Sequence, residues 1–130
     1  MGYDLELYID GACKGNHNKK LVNKAFVCII SKDKRIDIFK DVGEMTNNEA
    51  EWEALIEALK IAKSLRRKNI MIYSDSQLVV NQFKNRWRCR DERMKVYYLF
   101  SKTFETVMKV DIEWIPRDKN LAGIELERRT

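Results

Sequence analysis

Alternating apolar and polar residues in the first third of the chain predict three β-strands. Over residues 4–10 every second side chain is apolar, and the pattern ends at Gly11, where we expect a turn. A polar loop from Gly11 to Asn23 separates this strand from an apolar run over residues 25–30 and an alternating run over residues 36–42. The short polar turn between the last two runs favours an antiparallel hairpin, so the three strands are expected to form a meander.

The pattern then changes to the period of an α-helix. Residues 46–67 carry apolar side chains three and four positions apart, and Thr46 or a neighbouring asparagine can cap the first turn. Residues 69–75 form the fourth predicted strand, and a strand that is joined to the first through a helix is expected to lie parallel to it. The rest of the chain predicts a short helix over 76–83, an amphipathic helix over 91–108, a strand over 110–115 and a terminal helix over 121–128. The predicted order is βββαβααβα.

One acidic residue lies at the head of the apolar stripe of the long helix. Helical steps forward from Glu51 lead to apolar or small residues, Leu55, Ala58, Leu59 and Ala62. The other acids of this helix, Glu49, Glu53 and Glu57, follow its outer side. A carboxylate that faces a core is destabilising unless a cation or a proton compensates it, so we expect a positive partner beside Glu51.

Two aspartates end the two strands that are predicted to be parallel. The tripeptides Tyr8-x-Asp10 and Tyr73-x-Asp75 have the same alternation phase at the same ends of their strands. Both carboxylates can therefore meet Glu51, and such a cluster supplies the oxygen ligands that hard cations such as Mg²⁺ prefer. Each acid taken alone also fits a solvated strand end or helix cap, but their shared phase favours a metal site.

Composition and charge narrow the class of protein. The chain has 130 residues, of which 45% are hydrophobic, and it is expected to form a single domain over residues 1–130 and to be a monomer. Its apolar runs are too short for a membrane span. Three widely spaced cysteines predict neither a disulfide framework nor a thiolate zinc site, which favours a cytoplasmic location. The net charge of +5 points to an anionic partner such as nucleic acid.

Four motifs, in order along nearly the whole chain, resemble the successive motifs of the ribonuclease H type 1 family: Asp10-Gly11-Ala12, Thr46-Asn47-Asn48-x-x-Glu51, Ser74-Asp75-Ser76-Gln77 and Trp114-Ile115-Pro116-Arg117-x-x-Asn120. The resemblance implies an α/β, ribonuclease H-like fold. Its five-stranded mixed sheet would combine a three-strand antiparallel meander with two parallel strands, flanked by helices. The resemblance also implies an endonuclease that cuts the RNA strand of RNA/DNA hybrids to 5′-phosphate and 3′-hydroxyl ends.

The same resemblance implies roles for individual residues. Asp10, Glu51 and Asp75 match the metal-binding acids of the family, which would hold two Mg²⁺ ions, with Mn²⁺ as a possible substitute. The asparagines and glutamine that match groove-binding residues, which read the 2′-hydroxyls of the RNA strand, are Asn16, Asn47, Asn48 and Gln77. Capping of the long helix is an alternative role for Asn47 and Asn48, which stand where a cap is needed.

The sequence departs from the family pattern at the fourth metal-site acid. Relatives have an aspartate after Asn-x-x-Ala, whereas Asn120-Leu121-Ala122-Gly123 is one residue shorter and holds no acid. Asn120 is the favoured replacement through its amide oxygen, with Glu125 or water as the alternatives. We expect activity to persist with a raised metal requirement, because the loss of one negative charge loosens one of the two ions.

Two further segments differ from those of many relatives. The loop that usually carries a histidine before the last helix is too short, and the single histidine, His17, lies in the first loop, so water or a substrate phosphate is expected to carry the proton. The basic segment Lys84–Arg90 replaces a longer basic protrusion. Arg86, Trp87 and Arg88 in it are candidates for contacts with the substrate backbone, although Trp87 can also pack back on the following helix.

Two other functions fit the same fold. One is a non-catalytic or weakly active nucleic-acid-binding module, and the other is a nuclease that acts on other RNA substrates. The three retained acids favour an enzyme, because clustered negative charge brings no advantage to a protein that only binds polyanions.

Overall fold

The computed structural model describes residues 2–14 and 22–130, which form one five-stranded mixed sheet with helices on both of its faces. The strands are β1 (Leu5–Cys13), β2 (Asn23–Ser31), β3 (Asp37–Met45), β4 (Asn69–Ser74) and β5 (Lys109–Trp114). The helices are α1 (Asn47–Ser64), α2 (Gln77–Phe83), α3 (Glu92–Thr103) and α4 (Leu121–Arg129). Short 3₁₀ turns follow α3 at Phe104–Thr106 and precede α4 at Arg117–Lys119. The predicted order of elements is confirmed.

The strand order across the sheet is β3-β2-β1-β4-β5. The first three strands pair antiparallel as a meander, and β4 and β5 continue the sheet parallel to β1. Tyr8 is the register partner of Tyr73, and their rings stack with centroids 5.0 Å apart. This register confirms the predicted phase relation between Asp10, which lies within β1, and Asp75, which directly follows β4.

The first strand runs further than the sequence pattern predicted. Gly11 is not a turn residue, since β1 continues through it to Cys13 and Gly11 pairs with Val27 of β2. The glycine is required by the close approach of α1, because a Cβ atom on Gly11 would lie 2.0 Å from the carbonyl oxygen of Ala50. The absence of a side chain therefore marks a contact between strand and helix, and not a change of chain direction.

The third helix is shorter than its apolar pattern predicted. It ends at Thr103, where the chain tightens into the 3₁₀ turn. The apolar pattern places Phe104, Val107 and Met108 on one side of the predicted helix. Phe104 and Met108 are buried, but Val107 is 44% exposed. A change of helical pitch rotates the following side chains, which explains why the α-helical period fails at Val107.

The main core lies between the sheet and helices α1, α2 and α3. The stripe that begins at Glu51 is buried as predicted, and Trp52 beside it is fully buried, with its indole N–H donating to Oε1 of Gln82 over 3.1 Å. A smaller cluster on the opposite face joins Cys28 and Ile30 of β2 to Ala122 and Leu126 of α4. Helix α4 is thereby held against the side of the sheet opposite α1.

The cysteines and the apolar character of the helices also bear on the sequence analysis. All three cysteines lie in the described part of the chain, and none of them forms a disulfide. Among the described residues, no helix combines the length and apolar character needed to cross a membrane.

Candidate active site

Asp10 lies in β1 near the centre of the sheet and is the most deeply buried of the candidate acids. Only 2% of its surface is exposed. Its Oδ2 atom is fully enclosed and has no hydrogen-bond partner. An unpaired carboxylate oxygen is costly to bury, so this atom indicates that a cation or a proton belongs beside it.

Glu51 reaches the same place from α1. Thr46 caps that helix, as predicted, and forms a reciprocal capping box with Glu49, whose carboxylate also pairs with Arg93 at 3.7 Å. These contacts direct the Glu49 carboxylate to Thr46 and Arg93, although its side chain is only 13% exposed and therefore less solvated than an outer position predicts. Two residues after Glu49, Oε1 of Glu51 accepts a hydrogen bond from the backbone N–H of Gly11 over 2.9 Å.

Asp75 follows directly after β4, and three side chains from the C-terminal part of the chain surround it. The indole N–H of Trp114 donates to its backbone oxygen over 3.1 Å. The amide Nδ2 of Asn120 donates to its Oδ2 over 2.9 Å. The guanidinium of Arg117 lies 4.0 Å from its Oδ1. Asp75 is thus fixed in position, with its side chain 6% exposed.

The three carboxylates form one cluster, as the sequence predicted. One oxygen of each of Asp10, Glu51 and Asp75 lies within 4.8 Å of the others. Burial raises the pKa of Asp10 to about 7, and the neighbouring Asp75 carboxylate adds to this rise. Burial, followed by repulsion from Asp10 and Asp75, raises the pKa of Glu51 well above its ordinary value. An oxygen-only donor set of this charge fits a hard divalent cation such as Mg²⁺ or Mn²⁺.

The predicted role of Asn120 requires correction. Its side chain is fully buried beside Asp75, but its amide oxygen accepts the backbone N–H of Ala122 over 3.1 Å and caps α4. Its nitrogen donates to Asp75 and to the carbonyl oxygen of Ile9. If the amide were reversed, its oxygen would lie against the Ile9 carbonyl oxygen and Oδ2 of Asp75, which cannot donate to it. The Asn120 amide nitrogen therefore faces the acid cluster. Asn120 therefore positions Asp75 and does not present a ligand oxygen.

Glu125, the second candidate for the fourth position, binds arginines of its own helix and not the acid cluster. Its carboxylate accepts hydrogen bonds from Arg128 and from Arg129, and these bonds lower its pKa to about 2. Gly123 of α4 borders the cluster, because a Cβ atom on it would lie 3.1 Å from Oδ2 of Asp75 and 3.5 Å from Oδ2 of Asp10. The sequence analysis missed Gly123 and Arg117, and the signal for Arg117 was its place in the motif that ends at Asn120.

A cleft of about 640 Å³ opens over the acids. Its lining brings together most of the predicted substrate-binding residues: Asn47, Asn48, Gln77 and Trp87, with Glu51, Asp75, Trp114 and Arg117. Asn47 does not cap α1, because Thr46 does so, and its Oδ1 accepts the backbone N–H of Cys13 over 2.7 Å. Asn47 therefore ties the end of β1 to the start of α1 at the edge of the cleft.

The basic segment connects α2 to α3 beside this cleft. Arg86 and Arg88 are exposed, and Trp87 is 46% exposed. Trp87 lines both the acid-containing cleft and a second cavity that Tyr98 and Leu99 of α3 also line. Trp87 therefore lies between the acid-containing cleft and α3, and its contact with substrate stays a prediction. Asn16 and His17 lie outside the described residues.

Fold and site together define a domain of the ribonuclease H type with a candidate site for divalent cations. The chain belongs to the reverse transcriptase-like family, whose model matches residues 9–128. The resemblance to ribonuclease H type 1 and the fold expected from it are confirmed.

Several known proteins are similar to this chain. The RNase H1 of Halobacterium salinarum superposes with a TM-score of 0.81 at 29% identity, covering 94% of this chain and 92% of that one. EbsB of Enterococcus faecalis is 29% identical over 131 residues, covering 96% of this chain and 92% of EbsB. The ribonuclease H of Clostridium botulinum is 32% identical over 81 residues, which are 62% of this chain and 53% of that enzyme. The chain thus matches about half the length of that enzyme.

A further solved structure shares the fold and contains nucleic acid. LC11-RNase H1 in complex with an RNA/DNA hybrid superposes with a TM-score of 0.82 at 24% identity. The superposition covers 95% of this chain and 93% of LC11-RNase H1.

Proposed function

We infer that this protein is a metal-dependent endonuclease that hydrolyses the RNA strand of RNA/DNA hybrids. The observation that supports this most directly is the convergence of Asp10, Glu51 and Asp75, of which Glu51 and Asp75 line an open cleft, while Oδ2 of Asp10 is buried behind them without a hydrogen-bond partner. A structural ion pair would have supplied a basic side chain at this atom. A site that binds a cation from solution leaves such an oxygen without a partner in the protein.

The residues of the cluster divide into ligands and positioning groups. Asp10, Glu51 and Asp75 would hold Mg²⁺ or Mn²⁺, and the bound cations would activate a water molecule and stabilise the charge on the leaving 3′ oxygen. Asn120 fixes the orientation of Asp75, and the Gly11 N–H does the same for Glu51. These second contacts hold the carboxylates in place while substrate binds.

Arg117 is suited to the scissile phosphate. Its side chain is 61% exposed and lines the cleft, and its guanidinium lies 4.0 Å from Oδ1 of Asp75. A planar guanidinium can donate two parallel hydrogen bonds to phosphate oxygens. We assign Arg117 the role of binding the phosphate beside the acids, where it also offsets part of their negative charge.

The hybrid preference is assigned to the rim of the cleft. Asn48 and Gln77 carry amide groups that can pair with 2′-hydroxyls in a shallow minor groove. The Oδ1 atom of Asn47 accepts the backbone N–H of Cys13, and this hydrogen bond fixes the orientation of the Asn47 side chain at that rim. Arg86, Trp87 and Arg88 extend the surface toward the partner strand, where basic and aromatic groups bind a sugar-phosphate backbone.

A cleavage assay with four classes of nucleic acid tests the proposal. Labelled RNA/DNA hybrid, duplex RNA, duplex DNA and single strands are incubated with and without Mg²⁺ or Mn²⁺. We expect metal-dependent cutting of the RNA strand of the hybrid alone, with 5′-phosphate ends. Asp10→Asn should abolish cutting, whereas Glu127→Gln removes an exposed acid of α4 and should leave it unchanged.

Two results would favour the other functions. Tight hybrid binding without cleavage at any concentration of either metal would identify a binding module. Comparable cleavage of duplex RNA would identify a nuclease with another substrate class.

A further inference from the structure

A second cavity, which we call the α3 groove, lies between the basic segment and helix α3. Its volume is about 530 Å³. The apolar part of its surface is supplied by Trp87, Tyr98 and Leu99, and the basic side chains that line it are Arg86, Arg88 and Lys95. Among the described residues that line the groove, none is acidic. The α3 groove therefore combines an apolar surface with positive charge.

The apolar surface of the groove continues along α3. Leu99 is 57% exposed, and its helical neighbours Val96 and Phe100 are 68% and 46% exposed. Val96 precedes Leu99 and Phe100 by three and four residues, which is the spacing of helical residues that share a face. Large apolar side chains that are exposed side by side mark contact sites for partners, because their burial removes apolar surface from water.

The wall that the basic segment forms is fixed by hydrogen bonds. The backbone N–H groups of Arg86 and Trp87 both donate to the carbonyl oxygen of Asn81 in α2, over 2.9 and 3.1 Å. The hydroxyl of Tyr98 donates to Oδ1 of Asn85, and this bond joins the segment to α3. Asn85 itself has a φ of 63°, in the left-handed region that asparagine tolerates. A groove that is already ordered loses little conformational entropy when a ligand binds.

The charge of the groove selects among its possible occupants. A second copy of this chain that packed through the same surface would bring two sets of basic side chains together, and like charges across an interface are unfavourable. A nucleic acid would satisfy the charge, but the aliphatic side chains of Val96 and Leu99 offer no ring on which a base can stack. A peptide that carries carboxylates beside large apolar side chains matches both properties of the groove.

We propose that the α3 groove binds an acidic segment of a partner protein, with large apolar side chains of that segment packed on Leu99 and its carboxylates paired with the basic side chains. Lys95 is available for this pairing, because its ion pair with Glu92 at 3.6 Å is exposed to solvent and therefore weak. The interaction goes beyond the proposed function and requires neither metal nor nucleic acid. Since Trp87 also lines the acid-containing cleft, a bound partner is held beside that cleft.

Synthetic peptides test the proposal. The probe is a fluorescently labelled helical peptide that is rich in glutamate and carries a phenylalanine and a leucine one turn apart. Its binding is followed by fluorescence anisotropy in EDTA. One matched peptide has serine in place of the two apolar residues, and another has glutamine in place of the glutamates. We expect saturable binding of the probe and binding about tenfold weaker for each matched peptide, the effect of losing a central interface contact.

Variants of the protein locate the binding site. Leu99→Ser and Lys95→Glu change exposed side chains of the groove, and each should weaken binding of the probe about tenfold. Val107→Ser and Lys34→Glu make the same changes at exposed positions outside the groove and should leave binding unchanged. Thermal unfolding checks that each variant is folded, and the matched peptides test the proposal on the natural protein alone.

Several results would overturn the proposal. Equal binding of the probe and of the peptide without apolar residues would reduce the interaction to charge alone. No saturable binding of the probe, or equal binding by folded Leu99→Ser and the natural protein, would refute the site. A single-stranded oligodeoxynucleotide that binds more tightly than the probe and loses affinity in Leu99→Ser would identify a nucleic-acid site. A dimer that forms in analytical ultracentrifugation and is absent in Leu99→Ser would identify a contact between two copies.

Discussion

Removal of the Asp10 charge is expected to stabilise the metal-free protein at neutral and alkaline pH. Burial beside Asp75 raises the pKa of Asp10 from 3.8 to about 7 in the folded state. The folded protein therefore binds the proton more tightly than the unfolded chain does. Stability from this group is fully present below about pH 4 and is lost as the pH rises to about 7. Asp10→Asn keeps the shape of the side chain and removes this loss.

The magnitude follows from the size of the shift. Each pH unit of difference corresponds to about 1.4 kcal/mol, so the ceiling at about pH 8 is roughly 4 kcal/mol. We expect about half of this ceiling, roughly 2 kcal/mol, because Glu51 takes up part of the repulsion by binding a proton itself. For a domain of this length that gain corresponds to a rise in melting temperature of about 8 °C.

Thermal and urea unfolding in EDTA across about pH 4 to pH 8 provide the assay. The two proteins should have equal stability at the acidic end and diverge as the pH rises, while Glu127→Gln should follow the natural protein throughout. Addition of Mg²⁺ should stabilise the natural protein and leave Asp10→Asn unchanged, because the ion binds only where the charge remains. A variant that is less stable than the natural protein at pH 8, or a difference that does not change with pH, would refute this account of the site.

Three further predictions concern the strand, the cap and the basic segment. Gly11→Ala should lower the free energy of unfolding by about 3 kcal/mol in urea titrations, because its Cβ would lie 2.0 Å from a backbone oxygen, whereas Gly2→Ala, with open space around it, should have no effect. Asn120→Asp should destabilise the metal-free protein by about 2 kcal/mol, because the N–H donor to Asp75 is replaced by a like charge; increased stability would instead favour a ligand role for this position. The double variant Arg86→Ala with Arg88→Ala should reduce the salt dependence of hybrid binding by about two units of slope in a plot of log K against log salt. The matched pair is Lys63→Ala with Arg67→Ala, on exposed residues in the last turn of α1 and shortly after it, and it should leave that slope unchanged. Equal slopes for both pairs would exclude the basic segment from binding.

The sequence by itself determined the order of the elements and the three acids. Strands and amphipathic helices have different periods, so local pattern distinguishes them without tertiary information. The shared phase of Asp10 and Asp75 followed from the parallel relation of two strands joined through a helix. Glu51 was separated from Glu49 by helical phase alone, and the capping box of Thr46 and Glu49 agrees with that separation.

The tertiary structure decided what each side chain near the acids contacts. A glycine in a sequence is compatible with a turn, a tight contact or an empty position, and two glycines of this chain differ in this respect. Gly11 allows the backbone of α1 to approach β1, whereas Gly123 leaves space between two aspartates. Which role a glycine has depends on which elements pack against it, and the local sequence pattern does not contain that information.

Asn120 illustrates the same limit at the level of a single amide. The motif located it at the site, and the sequence allowed either end of the amide to face the cluster. Its orientation is decided by the carbonyl of Ile9 and the N–H of Ala122, which come from a strand and a helix that meet only in the folded protein. Hydrogen-bond direction is a property of the assembled neighbours. The sequence therefore identified the acids, and only the tertiary structure decided that, among the described residues, the Asn120 amide, the Arg117 guanidinium and Gly123 lie around them.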